Sequence, residues 1–112
     1  MPGITQTELN QILEEAETDL LLKSDIGNIK TLESVTKISF KVKGQNIIIQ
    51  GDKELLGIRR IQHQLLYCDK LRTCKVFRRN REIKIYIPRK ELSKFELITL
   101  VELTYLDIKQ QY

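Results

Sequence analysis

Residues 37–50 read KISFKVKGQNIIIQ, and this stretch decides the predicted fold. In its first half, Ile38, Phe40 and Val42 alternate with lysine and serine, the period of a strand with one face in a core and one in water. Residues 44–46 are turn-forming, and residues 47–50 return as a β-branched partner strand. The stretch therefore predicts an antiparallel β-hairpin.

A helix is predicted directly after this hairpin. Gly51 and Asp52 interrupt the strand pattern, and Asp52 is a favourable N-cap. Apolar residues with helical spacing follow, namely Leu55, Leu56, Ile58, Ile61, Leu65 and Leu66. Arg59, Arg60 and His63 lie mostly on the opposite side of this helix. Residues 36–68 therefore form a first ββα unit.

The same pattern recurs over residues 74–108. Residues 75–87 predict a second hairpin that turns near Asn80, and Pro88 ends its second strand because it has no backbone N–H. Ser93 and Glu96 form a capping box, which predicts a helix to about Asp107. Lys-Glu-Leu follows both hairpins, at 53–55 and 90–92, so duplication of a ββα unit is one interpretation.

The segment after Ser93 is apolar on nearly every side of a helix. Such a helix is either central to the core or covered by a partner subunit. We assign a homodimer interface to Phe95, Ile98, Val101 and Tyr105. Residues 95–107 also alternate well enough to form a strand, and the capping box is what favours a helix.

The N-terminal part predicts an acidic helix within residues 1–27. Thr5 and Glu8 form a capping box, and an apolar stripe follows at Leu9, Ile12, Leu13, Ala16 and Leu20. Gly27 is suited to end the helix, and a short helical turn is expected within residues 28–35. The predicted fold is α+β, a single domain over residues 1–112. An acidic helix precedes two ββα units, whose hairpins form a small antiparallel sheet packed by helices.

Composition restricts the class of protein. A chain of 112 residues with 41% apolar and 30% charged residues is long enough for one core. No secretory signal or membrane-spanning stretch is found, so we expect a cytoplasmic protein. Cys68 and Cys74 could close a bridge over a short loop, but free thiols are the expectation in a reducing compartment.

Charge is distributed unevenly along the chain. The net charge is +4, yet residues 36–94 hold sixteen basic and five acidic residues, while residues 1–35 hold two basic and seven acidic. Six cations surround the second hairpin, and two more on the preceding helix extend the set: Arg72, Lys75, Arg78, Arg79, Arg81 and Lys84, with Arg59 and Arg60. Clustered cations of this kind favour nucleic-acid phosphates. The alternatives are a solvated hairpin that protects a strand edge, an acidic protein partner, and neutralisation by the acidic first helix.

Residues suited to catalysis are few. His63 is the only histidine, and no triad pattern surrounds it. His63, Cys68 and Cys74 lack the spacing of a zinc site, and no glycine-rich phosphate loop is present. We therefore expect no enzyme activity, no metal and no cofactor.

The leading functional hypothesis is a small non-catalytic nucleic-acid-binding or regulatory protein that uses the basic hairpin. The alternative is an oligomerising adaptor that acts through protein–protein contacts of its apolar C-terminal helix. The ββα order resembles that of KH modules, but their G-x-x-G motif is absent, so that resemblance assigns no residue roles.

Overall fold

The structure, a computed structural model, describes residues 3–23 and 31–106. Its helices are α1 (Gln6–Lys23), α2 (Leu32–Thr36), α3 (Leu56–Tyr67) and α4 (Lys94–Leu103). Its strands are β1 (Ser39–Lys43), β2 (Asn46–Asp52), β3 (Lys75–Arg79) and β4 (Glu82–Pro88). The four strands form one antiparallel sheet in the order β1-β2-β4-β3, which confirms the α+β class.

Both predicted hairpins are present, and they have matching dimensions. Each joins a five-residue strand to a seven-residue strand through a two-residue loop. The first residue of each loop has positive φ, +60° at Gly44 and +57° at Asn80. The seven-residue strands β2 and β4 pair with each other from Asn46–Pro88 to Asp52–Glu82, so they form the centre of the sheet.

Isoleucines on one face of the sheet form the floor of the core. Residues 47, 49, 83, 85 and 87 are buried there and contact the apolar sides of the helices. Helix α1 contributes Leu9, Ile12 and Leu20, α3 contributes Ile58, Ile61 and Leu65, and α4 contributes Leu97, Leu100 and Val101. Since each fully buried aliphatic side chain contributes roughly 1.5–3 kcal/mol, this single layer of packing accounts for most of the hydrophobic stabilisation. The described helices therefore cover one face of the sheet.

The connection between β2 and α3 differs from the prediction. Asp52 belongs to β2, where it pairs with Glu82, and α3 begins only at Leu56. The Asp52 carboxylate accepts a hydrogen bond from the Glu54 backbone N–H (2.8 Å) and does not cap the helix. The reason is the adjacent strand β4, which extends the ladder beyond Gly51. Leu56 and Leu66, predicted to face the core, are exposed because the 3.6-residue period places them outside the side of α3 that Ile58, Ile61 and Leu65 turn to the sheet.

The capping boxes at Thr5 and Ser93 are confirmed. The Thr5 hydroxyl accepts from the Glu8 N–H (3.2 Å), and the Ser93 hydroxyl accepts from the Glu96 N–H (3.1 Å). Residues 94–103 are helical, so the helix predicted for this segment is correct and the strand alternative is wrong. Helix α4 ends at Leu103, earlier than the predicted end near Asp107. The predicted α1 stop at residues 24–27 and Asp107 itself lie outside the described residues.

Hydrogen bonds hold the segment before and at the start of α1 against the edge of the sheet that β1 forms. The Arg89 guanidinium donates to the carbonyl oxygens of Ile4 (2.7 Å) and Gly44 (3.0 Å). The Gln6 side-chain oxygen accepts from the Val42 backbone N–H (2.9 Å). Because an unpaired strand edge can pair with another chain, these contacts protect β1. Strand β3 forms the other edge of the sheet.

We expect Gly57→Ala to lower the free energy of unfolding by about 1–3 kcal/mol through overpacking. A Cβ atom at this position would lie 2.7 Å from Cδ1 of Ile38 and 3.1 Å from Cα of Thr104. The Ile38 side chain can shift, whereas the backbone at Thr104 cannot, so the clash outweighs a gain in helix propensity of about 1 kcal/mol. Urea unfolding measures the difference.

The matched control is His63→Ala, on the exposed side of the same helix, which should change stability by no more than about 0.5 kcal/mol. A Gly57→Ala variant as stable as the parent protein would contradict the close approach of α3 to Thr104.

Candidate nucleic-acid interface

The second face of the sheet, which we call the open face, carries mostly polar and charged side chains, whereas the core face carries isoleucines. The strand registers place on it Ser39, Lys41, Lys43, Asn46, Ile48, Gln50, Asp52, Lys75, Phe77, Arg79, Glu82, Lys84 and Tyr86. The described helices bury their apolar sides against the other face, and only α2 borders this one. The open face and the tip of the second hairpin form a broad groove of about 1070 Å³.

The groove is lined by five cations and three carboxylates. The cations are Lys37, Arg78, Arg79, Arg81 and Lys84, and the carboxylates are Glu33, Asp52 and Glu82. Four of the predicted nucleic-acid-binding residues are therefore brought together at one site. Lys75, a fifth, lies on the same face beside them, directly across from Tyr86 in β4.

Interactions within the chain hold two of the carboxylates. Asp52 forms an ion pair with Arg81 (Oδ2 to Nε, 3.4 Å), and Glu82 accepts a hydrogen bond from the Gln50 side-chain amide (2.6 Å). The Lys53 backbone N–H also donates to the Arg81 carbonyl oxygen (2.7 Å). These contacts hold the hairpin tip against the end of β2 and engage Arg81 in doing so.

Arg78 and Arg79 differ from Arg81. Both are exposed on the edge strand β3, and neither forms a salt bridge or side-chain hydrogen bond with any other described residue. Arg79 lies across from Glu82 in the ladder, but the Glu82 carboxylate is bonded to Gln50. The two guanidinium groups therefore have no partner for their hydrogen-bond donors among the described residues.

Two aromatic rings lie among these cations. Phe77 and Tyr86 form an edge-to-face pair with their centroids 5.2 Å apart and an interplanar angle of 76°. Phe77 is 55% exposed, whereas Tyr86 is partly buried. Ile48 of β2 lies between Lys41 and Tyr86 on the same face and is only 2% exposed. The exposed apolar surface of the open face therefore belongs chiefly to Phe77, and cations lie around it.

The predicted site omitted three cations that precede or belong to the first hairpin. Lys37, which ends α2, lines the groove, and Lys41 and Lys43 project from the open face of β1. Their signal in the sequence is the alternation of lysine with apolar residues over residues 37–43, which identifies a solvated strand face. Only the sheet order shows that this face continues across β2 to β4 and β3.

Three predicted cations lie elsewhere, which corrects the expectation that one surface would hold all eight. Arg59 and Arg60 belong to α3, on the other face of the sheet, and Arg59 pairs with Glu54 (2.8 Å). Arg72 precedes β3 in a 3₁₀ turn and pairs with Asp69 (3.2 Å). None of the three lines the groove, because α3 crosses the core side of the sheet.

The residues predicted to form a subunit interface are divided between core and surface. Val101 (1% exposed) and Tyr105 (2% exposed) lie in the protein's own core, and Ile98 is partly buried. Their burial follows from the position of α4 between α1 and α3, which takes up most of its apolar surface. Phe95 alone of the four is largely exposed, at 78%. This corrects the assignment of Val101 and Tyr105 to an interface.

The remaining reactive side chains are dispersed. His63 is exposed on α3 in a shallow depression with Arg59, Arg60, Gln64 and Leu103, and no carboxylate lines that depression. Cys68 and Cys74 are free, and burial raises the pKa of the Cys74 thiol, which disfavours its reactive thiolate. Within the described ranges, no group of three or more His, Cys, Asp or Glu residues is placed to hold a metal ion.

Helices α1 to α4, as far as the structure describes them, are too short or too polar to cross a membrane. Comparison of the chain with protein-family models, curated proteins and solved structures gave no match. The groove is therefore interpreted from its own geometry and charge.

We expect Tyr105→Phe to reduce the loss of stability at alkaline pH. Burial, and then the negative charges of Glu102 and Asp19, raise the pKa of Tyr105 to about 12 from an ordinary value of 10.0. The unfolded chain ionises first as pH rises, so the stabilisation is present below pH 10 and is lost between about pH 10 and 12. Across that window the parent protein should lose about 2–3 kcal/mol more than the variant.

Urea unfolding at a series of pH values from 8 upward measures this difference, and subtracting the two curves removes the titration of other groups. A constant gap between the curves would show that Tyr105 ionises as readily in the folded protein as in the unfolded chain.

Proposed function

We propose that the protein binds nucleic acid through the open face and the second hairpin, as a non-catalytic binding or regulatory protein. The observation that carries the proposal is the convergence of Lys37, at the end of α2, with four cations of the second hairpin on one concave surface. Of those four, Arg78 and Arg79 lack partners among the described residues. Arginine forms bidentate hydrogen bonds with phosphate, and each phosphate contact releases counterions.

The positions of the acidic residues of α1 support this choice over neutralisation within the chain. Glu17 accepts a hydrogen bond from the Leu32 backbone N–H (2.6 Å), while Glu14 and Glu15 are exposed on a helix that packs on the core side. None of these three forms an ion pair with Arg78, Arg79 or Arg81. The hairpin cations therefore project toward solvent and not toward the acidic helix.

We expect the double variant Arg78→Ala, Arg79→Ala to weaken nucleic-acid binding roughly ten- to a hundredfold at low salt, a loss of about 1.4–2.7 kcal/mol in total. The variant loses charge-assisted hydrogen bonds to phosphate, and the neighbouring cations of the groove replace part of that loss. The slope of log affinity against log salt concentration should also fall by about 0.7–0.9 for each phosphate that the variant no longer neutralises. Fluorescence anisotropy at several salt concentrations measures both. Arg81 is left unchanged because it fastens the hairpin to Asp52.

The matched control is Arg59→Ala, Arg60→Ala, which removes the same charge from α3 on the other side of the sheet. Equal losses in the two double variants would indicate binding by net charge alone and would contradict the groove as the site. Absence of binding by the parent protein at low salt would overturn the proposal altogether.

A second candidate function is self-assembly through the surface around Phe95. This side chain is exposed at the start of α4 beside a small apolar pocket of about 160 Å³, to which Leu65, Leu92 and Leu100 contribute. An exposed aromatic side chain next to an apolar pocket is typical of a contact site, since the two can be buried together by a second copy of the chain.

We expect the average mass in sedimentation equilibrium to rise with protein concentration, and Phe95→Ser to abolish that rise by removing the apolar contact. The control is Leu56→Ser, which alters another exposed apolar residue on α3. A monomeric parent protein across the accessible concentration range would dismiss this candidate and leave nucleic-acid binding unaffected.

A further inference from the structure

We infer that the ligand of the open face is single-stranded nucleic acid, with a base stacked on the ring of Phe77. The inference rests on the proposed function and specifies its substrate class. It follows from the position of an exposed aromatic ring among cations on two adjacent strands.

The exposure of Phe77 is the first step of the argument. Full burial of a phenylalanine side chain contributes roughly 1.5–3 kcal/mol, and Phe77 forgoes much of this by remaining 55% exposed. Its strand neighbours on the same face, Lys75 and Arg79, are polar. The edge-to-face pair with Tyr86 accounts for part of the stabilisation by this ring, about 0.5–1.5 kcal/mol, but it leaves the exposed part of the ring without a contact.

The geometry of the aromatic pair leaves a flat surface available. In an edge-to-face pair, each ring keeps at least one of its faces free of its partner. The pair also fixes the orientation of the rings, since the strand register places Phe77 diagonally from Tyr86 across the β3–β4 ladder. A base that stacks here meets a surface already held in place, which lowers the entropy cost of binding.

The cations are arranged to follow a nucleic-acid backbone past this ring. Lys75 and Arg79 lie two residues before and after Phe77 along β3, about 6.7 Å away on each side, because a strand rises about 3.3–3.4 Å per residue. Lys84 lies directly across from Phe77 in β4. A stacked base on Phe77 therefore has a cation near the phosphate on either side.

A duplex does not use this arrangement. Its bases are stacked on one another, and extruding one costs a few kcal/mol, so an intact helix would contact the cations without the ring. An unpaired base has no such cost, and base–aromatic stacking contributes about 1–3 kcal/mol for each base. The exposed ring therefore favours single strands over duplexes.

The experiment compares single-stranded oligonucleotides of about fifteen thymidines or uridines with a duplex of the same length, using the full chain. We expect the parent protein to prefer the single strands, and Phe77→Leu to weaken that binding roughly 5- to 150-fold while leaving duplex binding unchanged. Tyr67→Leu, which alters an exposed aromatic residue of α3, is the matched control. The thymidine and uridine arms distinguish DNA from RNA as the source.

A second variant reports stacking directly. The chain has no tryptophan, so Phe77→Trp introduces a single one at the site, and we expect single strands to quench its fluorescence. Duplex binding equal to or tighter than single-strand binding, together with no effect of Phe77→Leu, would overturn this inference. If duplex binding were still weakened by Arg78→Ala, Arg79→Ala, the proposed nucleic-acid-binding function would stand without the single-strand inference. If duplex binding were not weakened, the proposed function and the single-strand inference would both be wrong.

Discussion

The pairing of β2 with β4 is the interaction on which the rest of the structure depends. Each of these strands is already the second half of a local hairpin, but their mutual ladder, from Asn46–Pro88 to Asp52–Glu82, joins segments far apart in the chain. It places isoleucines 47, 49, 83, 85 and 87 on one face, where three helices bury them. Without this ladder, two separate hairpins would remain, and isolated hairpins are marginally stable in water.

The same ladder creates the open face. Because side chains alternate along a strand, fixing the isoleucines toward the helices sends the intervening lysines, Phe77 and Tyr86 to the other side. The two hairpins have equal strand and loop lengths and lie side by side in the sheet, so this face runs without a break from β1 to β3. Within the groove, Asp52 pairs with Arg81 and Gln50 donates a hydrogen bond to Glu82. These contacts hold the hairpin tip, and Arg78 and Arg79 take no part in them.

Local patterns made much of this architecture predictable. The two hairpins and the capping boxes at Thr5 and Ser93 depend on neighbours a few residues away, and each is present in the structure. The predicted strand over residues 37–43 forms only from Ser39, because Lys37 ends α2 in a left-handed conformation. Predictions that depended on distant segments were less successful. Asp52 remained in the sheet because β4 lies beside it, and Tyr105 entered the core because α4 packs between α1 and α3.

By itself, the sequence determined the class of elements, their order and the concentration of positive charge in residues 36–94, since these follow from composition and from periodicities of 2 and 3.6 residues. Only the tertiary structure decided which cations share a surface. It separated Arg59 and Arg60 from the hairpin and joined Lys37 to it, although the arginines are nearer in the chain. The physical reason is that a sheet has two faces and the helices pack on only one of them. A cation on α3 therefore lies on the covered face, and a cation on a strand lies on either face according to its position in the strand.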